Sequence, residues 1–117
     1  MINNTVYLIK GWKIDDSEIA DALIDQLCEV DEDFYDDCEG EYFVTDCMAG
    51  EYIYFGAIIG SIDADSDYPD DIEVDEQVIK EKFDNWNKIL EEKPEVAQVF
   101  KQYMEGPAKT YVLYHVY

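Results

Sequence analysis

Residues 41–62 read EYFVTDCMAGEYIYFGAIIGSI, and their reading decides the fold. Residues 41–47 and 51–62 are rich in β-branched and aromatic side chains, and Ala49-Gly50 stands between them. Two such runs around a short glycine-containing connection predict a β-hairpin. The second run is apolar on both alternating faces, which places it at the centre of a sheet. Gly56 and Gly60 within it mark a bulge or a close backbone approach. Outward from the hairpin, residues 5–12 (TVYLIKGW) and 109–117 (KTYVLYHVY) carry the same strand composition.

Helices fill the gaps between these strands. Asp15-Asp16-Ser17-Glu18 is a helix start, because short acids cap and acids suit a first turn. Ile19, Leu23, Leu27, Val30 and Phe34 then recur at helical spacing and predict one amphipathic helix of roughly five turns. Gly40 lets the chain turn, and residues 63–73 form an acidic loop containing Pro69. A second helix begins near Asp75 with Ile79, Phe83, Trp86 and Leu90 on one face. Pro94 breaks it, a third carries Val96, Val99, Phe100 and Tyr103, and Gly106-Pro107 ends that one. The expected order is β-α-β-β-α-α-β. It describes a single α+β domain over residues 1–117, a mainly antiparallel sheet of about four strands with helices on one face.

Composition narrows the function. With 48% hydrophobic and 15% aromatic residues in 117, the chain can build a core, so disorder is excluded. Twenty-nine acids against eight lysines and no arginine give a net charge of −21. Such a chain is repelled by nucleic-acid backbones and anionic membranes. One His and no Cys-x-x-Cys spacing exclude a zinc site, and no cofactor is expected. Cys28, Cys38 and Cys47 sit in acidic or apolar surroundings that suppress thiolate reactivity. They read as reduced thiols of a cytoplasmic protein, and neither a leader nor a membrane span is expected.

The acids are not spread evenly. Residues 14–79 hold 23 of the 29 and no lysine, whereas the rest of the chain is nearly balanced. Glu18, Asp21, Asp25, Glu29, Glu32 and Asp36 recur at three- and four-residue steps, a stripe beside the apolar face, with Asp33 and Asp37 adjoining. Like charges at this spacing destabilise a helix by roughly 0.2–0.5 kcal/mol per pair. The second helix differs: Glu76, Lys80, Asp84, Lys88 and Glu92 alternate in sign every four residues. Asp63, Asp65 and Asp67, if extended, point one way about 6.6 Å apart, and Asp70 and Asp71 follow. Such rows approach the spacing of phosphates along a DNA strand. The stripe and this loop are therefore the candidate partner-binding residues.

Other chemistries compete. Residues 63–74 begin like a calcium loop, with Asp63, Asp65, Asp67 and Asp71 at positions 1, 3, 5 and 9. The pattern departs where an EF-hand is strict, with Tyr68 at position 6 and Val74 at position 12. His115 lies in an aromatic strand and reads as structural rather than catalytic. Carboxylates are too abundant for any pair to indicate an active site, so no enzyme is expected. The ten tyrosines read mainly as sheet residues, although Tyr35, Tyr42 and Tyr68 border acidic segments.

In size and in the charge pattern of residues 14–79, the chain resembles phage and mobile-element proteins that mimic DNA, the anti-restriction and anti-CRISPR inhibitors. The resemblance implies a small inhibitor in the host bacterial cytoplasm, monomer or homodimer, that occupies the DNA-binding groove of a host defence nuclease. In a CRISPR effector the target would be its PAM-reading site. An immunity protein or antitoxin masking a basic toxin is the alternative within the same class. A calcium-binding module is the alternative from another.

Overall fold

A computed structural model describes residues 4–45, 52–64 and 67–116. The elements are β1 (Asn4–Ile14), α1 (Ser17–Val30), α2 (Glu32–Cys38), β2 (Phe43–Thr45), β3 (Ile53–Asp63), α3 (Glu76–Glu92), α4 (Pro94–Lys101) and β4 (Lys109–Val116). The strands form one antiparallel sheet in the order β2-β3-β1-β4, so the α+β reading holds and β3 is internal as expected. The turn around Ala49-Gly50, with Cys47, lies outside the described residues. No described helix is long and apolar enough to cross a membrane.

Glycines set the register of the two long central strands. Gly11 lies opposite Gly56, and a Cβ on Gly11 would stand 2.0 Å from the Phe55 carbonyl oxygen. Gly56 itself has φ +136°, a conformation that side chains resist. Leu8 pairs with Gly60 but Ile9 with Ile58, so Ile59 is the extra residue of a bulge. At Gly60 a Cβ would meet Ile72 Cγ2 at 2.7 Å, so this glycine makes room for the acidic loop to lie on the sheet.

The helices stand on one face. Phe55 of β3 stacks on Phe100 of α4 with ring centroids 4.9 Å apart, and Trp86 of α3 meets Phe100 at 5.1 Å. Phe34, Leu23 and Leu27 complete this core, each side chain contributing about 1.5–3 kcal/mol by burial. On the opposite face a smaller cluster gathers Tyr7, Ile9, Val44 and Ile58. His115 is buried beside it, its Nδ1 hydrogen-bonded to the Tyr52 hydroxyl and its ring against Tyr7.

One expectation fails in an instructive way. The predicted five-turn helix is two helices, because Asp31 leaves the helical conformation (φ −162°, ψ 86°). Its carboxylate accepts the Phe34 N–H at 3.0 Å, capping α2, and also binds Lys93 Nζ at 2.9 Å. The break re-aims the chain so that Phe34 enters the core against Phe43 and Phe100. The apolar face of α1 that reaches the core is Ala20, Leu23 and Leu27. Ile19 and Val30, expected to be buried, remain 45% and 38% exposed. The strand predicted from residue 41 also starts later, at Phe43, because residues 40–42 form a turn.

Candidate partner-binding surface

The site is built on α1 and α2. Asp16 caps α1, its side chain accepting the N–H groups of Glu18 (3.0 Å) and Ile19 (3.2 Å). Leu23 and Leu27 anchor the helix to the core, and Gln26 donates to the Tyr103 hydroxyl at 3.1 Å. With that side held down, Glu18, Asp21, Asp25 and Glu29 face solvent. On α2 the buried Phe34 fixes the rotation, and Glu32, Asp33, Asp36 and Asp37 are all exposed. The predicted stripe is thus two rows meeting at the Asp31 bend, rather than one straight line.

The two rows share one field. Cys28 lies near the end of α1, and its thiol pKa is raised first by burial and then by Glu32, Asp36 and Asp25. Carboxylates from both helices therefore act on a single atom. Cys38 is raised in the same way, by burial first and then by Glu41 and Asp37. Neither cysteine is in a disulfide.

The structure separates acids that hold the fold from acids that do not. Asp16, Asp31 and Asp75 cap α1, α2 and α3, satisfying amide groups that a helix start leaves without partners. None of Glu18, Asp21, Asp25, Glu29, Glu32, Asp33, Asp36 or Asp37 joins an ion pair among the described residues. Glu29 lies in the last turn of α1, and Asp36 and Asp37 in the last turn of α2. A helix C-terminus carries partial negative charge, so acids there are unfavourable and cations favourable. Neither last turn contains a base.

The second acidic segment is less ordered as a row. Asp63, Asp67, Asp70 and Asp71 are exposed, and Asp65 lies outside the described residues. β3 ends at Asp63 and Ala64 enters a turn, its N–H donating to the Asn4 carbonyl at 2.9 Å. Neither Ala64 nor Asp67 continues the strand, and the middle of the expected row, at Asp65, lies outside the described residues. Asp70 instead accepts the Asp71 N–H at 2.8 Å. Among the described residues, no three or more His, Cys, Asp or Glu side chains gather as metal ligands.

Sequence reasoning missed a groove of about 710 Å³ at the N-terminal end of α1. Trp12, Tyr103 and Tyr111 give it apolar walls, Ile19 opens onto it, and Asp16 and Glu18 stand at its rim. Trp12 is held by its indole N–H, which donates to the Gly106 carbonyl at 3.1 Å. No local pattern announces this groove, because its walls come from residues about ninety positions apart. The exposure of Ile19 is explained by it: the side chain belongs to the groove and not to the core. No family model, curated protein or solved structure matches this chain.

Proposed function

We propose that the protein is a nucleic-acid mimic, a stoichiometric inhibitor whose acidic α1–α2 ridge occupies the DNA-binding groove of a basic partner. The partner class is a host defence nuclease, a restriction enzyme or CRISPR effector, in a bacterial cytoplasm. The inhibitor acts by occupancy and carries out no reaction. One observation carries this reading. Eight exposed carboxylates on two short helices join no ion pair among the described residues, and three of them, Glu29, Asp36 and Asp37, stand at helix C-terminal ends that disfavour them. An arrangement that costs folding stability is expected where the charge serves binding.

Physical chemistry suits the role. Along α1, Asp21, Asp25 and Glu29 are neighbours on successive turns, with Cβ atoms about 5–6 Å apart. A DNA-binding groove offers lysine and arginine to a similarly spaced row of phosphates. Opposite fields accelerate encounter and make binding fall with salt. The groove beside Glu18 adds apolar surface next to the charge, where a side chain of the partner can anchor.

The test uses immobilised full-length chain and lysate from a bacterium with active restriction or CRISPR defence. A bound basic protein is expected to elute with NaCl, and its duplex binding should be blocked by the free chain in a competition assay. Asp21→Asn, Asp25→Asn and Glu29→Gln together should relieve the block. If the eluted partner binds DNA equally well with or without the chain, the mimic reading fails. A partner that is a secreted toxin would identify an immunity protein instead.

A further inference from the structure

β4 (Lys109–Val116) ends the sheet: β1 pairs with one of its edges, and no described strand pairs with the other. An eight-residue edge is a template for another strand. The opposite end of the sheet is blunted, because β2 is three residues long and its side chains are buried. Along β4 the faces alternate. His115 lies beside Tyr7 on the side away from the helices, while Thr110, Val112 and Tyr114 face the helix side. The helical layer rests mainly on β3 and stops short of β4. Val112 is therefore 75% exposed and Tyr114 57%, and their cross-strand neighbours Leu8 and Val6 are only half-buried.

Charge selects the occupant. Neither β4 nor β1 contains a single Asp or Glu, in a chain with 29 of them. A basic partner is drawn to the acidic ridge and has no electrostatic reason to choose this strip. A second copy of the chain, itself at −21, meets least repulsion along this strip, where neither β1 nor β4 sets a carboxylate against its counterpart. We infer that the chain forms a two-fold dimer by antiparallel pairing of β4 with β4 of a second copy, centred on Val112. The result is one continuous sheet of eight strands.

The register follows from the faces. A two-fold axis perpendicular to the sheet keeps both sets of helices on one side, so residues of like face must stand opposite each other. Centring on Val112 sets the two copies of Val112 side by side and Thr110 against Tyr114 of the second copy. Leu8, which lies opposite Val112 on β1, extends this apolar row into both copies. The exposed valine and tyrosine thereby gain apolar neighbours across the seam, and the backbone groups on the two facing β4 edges are paired.

Sedimentation equilibrium of the full chain in about 0.15 M NaCl, where the Debye length is ~8 Å, tests the assembly. The expected mass is twice the 13.6 kDa of one chain. Val112→Lys should return the mass to one chain with an unchanged far-UV circular dichroism spectrum. Register is tested by cross-linking. Opposed Cβ atoms at the axis are about 4.5–5.5 Å apart, close to the ~3.5–4.5 Å of a disulfide. Val112→Cys should therefore cross-link on mild oxidation well above the wild-type background, and Thr110→Cys should not. A single-chain mass at all concentrations up to millimolar overturns the proposal. So does a dimer whose mass Val112→Lys leaves unchanged, or equal cross-linking from Thr110→Cys.

Discussion

Neutralising the outer row of α1 should make the protein more stable and less active at once. The variant is Asp21→Asn, Asp25→Asn and Glu29→Gln, which leaves the buried Ala20, Leu23 and Leu27 untouched. Three repulsive pairs within α1 disappear: Glu18 with Asp21, Asp21 with Asp25, and Asp25 with Glu29. Each is worth roughly 0.2–0.5 kcal/mol. Glu29 also leaves the negative end of the helix, a gain of about 0.3–1 kcal/mol. Helix propensities change little, since Asp and Asn rank together. The total is about 1–2.5 kcal/mol, or a Tm rise of roughly 3–12 °C for a domain of this size. Glu32 is left in place because it lies in the first turn of α2, where a negative charge is favourable. The assay is thermal melting at neutral pH in about 0.01 M and about 1 M salt, where the Debye length falls from ~30 to ~3 Å. The gain should be largest in low salt and nearly vanish in high salt, and competition with DNA for the partner should weaken. A variant that melts at or below the wild-type temperature in low salt would refute the reasoning, because the three carboxylates would then be doing structural work.

Four further outcomes follow from the same structure. Asp31 is held below the usual carboxylate range, chiefly by its hydrogen bond from Lys93 and then by the Phe34 amide, and Lys93 is raised by the same contact. The depressed acid contributes stability that is present above its unfolded value near 3.8 and lost as pH falls through its folded value. Urea midpoints should therefore drop more steeply below about pH 4 in wild type than in Asp31→Asn. The raised lysine contributes below its unfolded value of 10.5 and loses that contribution as pH rises past its folded value, so Lys93→Met should flatten the alkaline limb. Gly56→Ala forces a Cβ to 2.5 Å from the Lys10 carbonyl oxygen at φ +136°, whereas Gly40, at φ +88°, has nothing within 4 Å. Denaturant titration should show Gly40→Ala costing about 1 kcal/mol and Gly56→Ala clearly more. Cys28 should alkylate slowly at neutral pH, as read by peptide mapping, and faster in Asp25→Asn combined with Glu32→Gln, because removing those charges lowers its raised pKa.

Much of the fold was legible because the signals were local. β1 and β3 were readable from β-branched and aromatic runs, and α3 from the spacing of Phe83, Trp86 and Leu90 behind the Asp75 cap, whose side chain accepts the Val78 N–H at 2.8 Å. Pro94 separates α3 from α4, as its ring and missing N–H dictate, and stands at the start of α4, where that missing N–H costs nothing. Of the two glycines expected to mark a bulge or a close backbone approach, Gly56 makes the close approach, against Gly11, and Gly60 flanks the bulge at Ile59 and makes room for the Ile72 side chain, partners that only the tertiary structure supplies.

The candidate site divides along the same line. Sequence alone determined that acid is concentrated in residues 14–79, that the first helical region lacks lysine, and that its acids recur at helical spacing. These are counts and periods, and they survive any folding. Tertiary structure decided where the period stops. An Asp inside a helical pattern can continue the helix or cap a new one, and at Asp31 the balance is tipped by Lys93, 62 residues away, and by the core that receives Phe34. Tertiary structure also decided which apolar residues are spare. Ile19 fits the helical period yet faces a groove closed by Tyr103 and Tyr111, and Val112 fits a buried strand yet stands where no helix reaches. Periodicity fixes which residues share a face, but what covers that face depends on contacts between segments far apart in the chain.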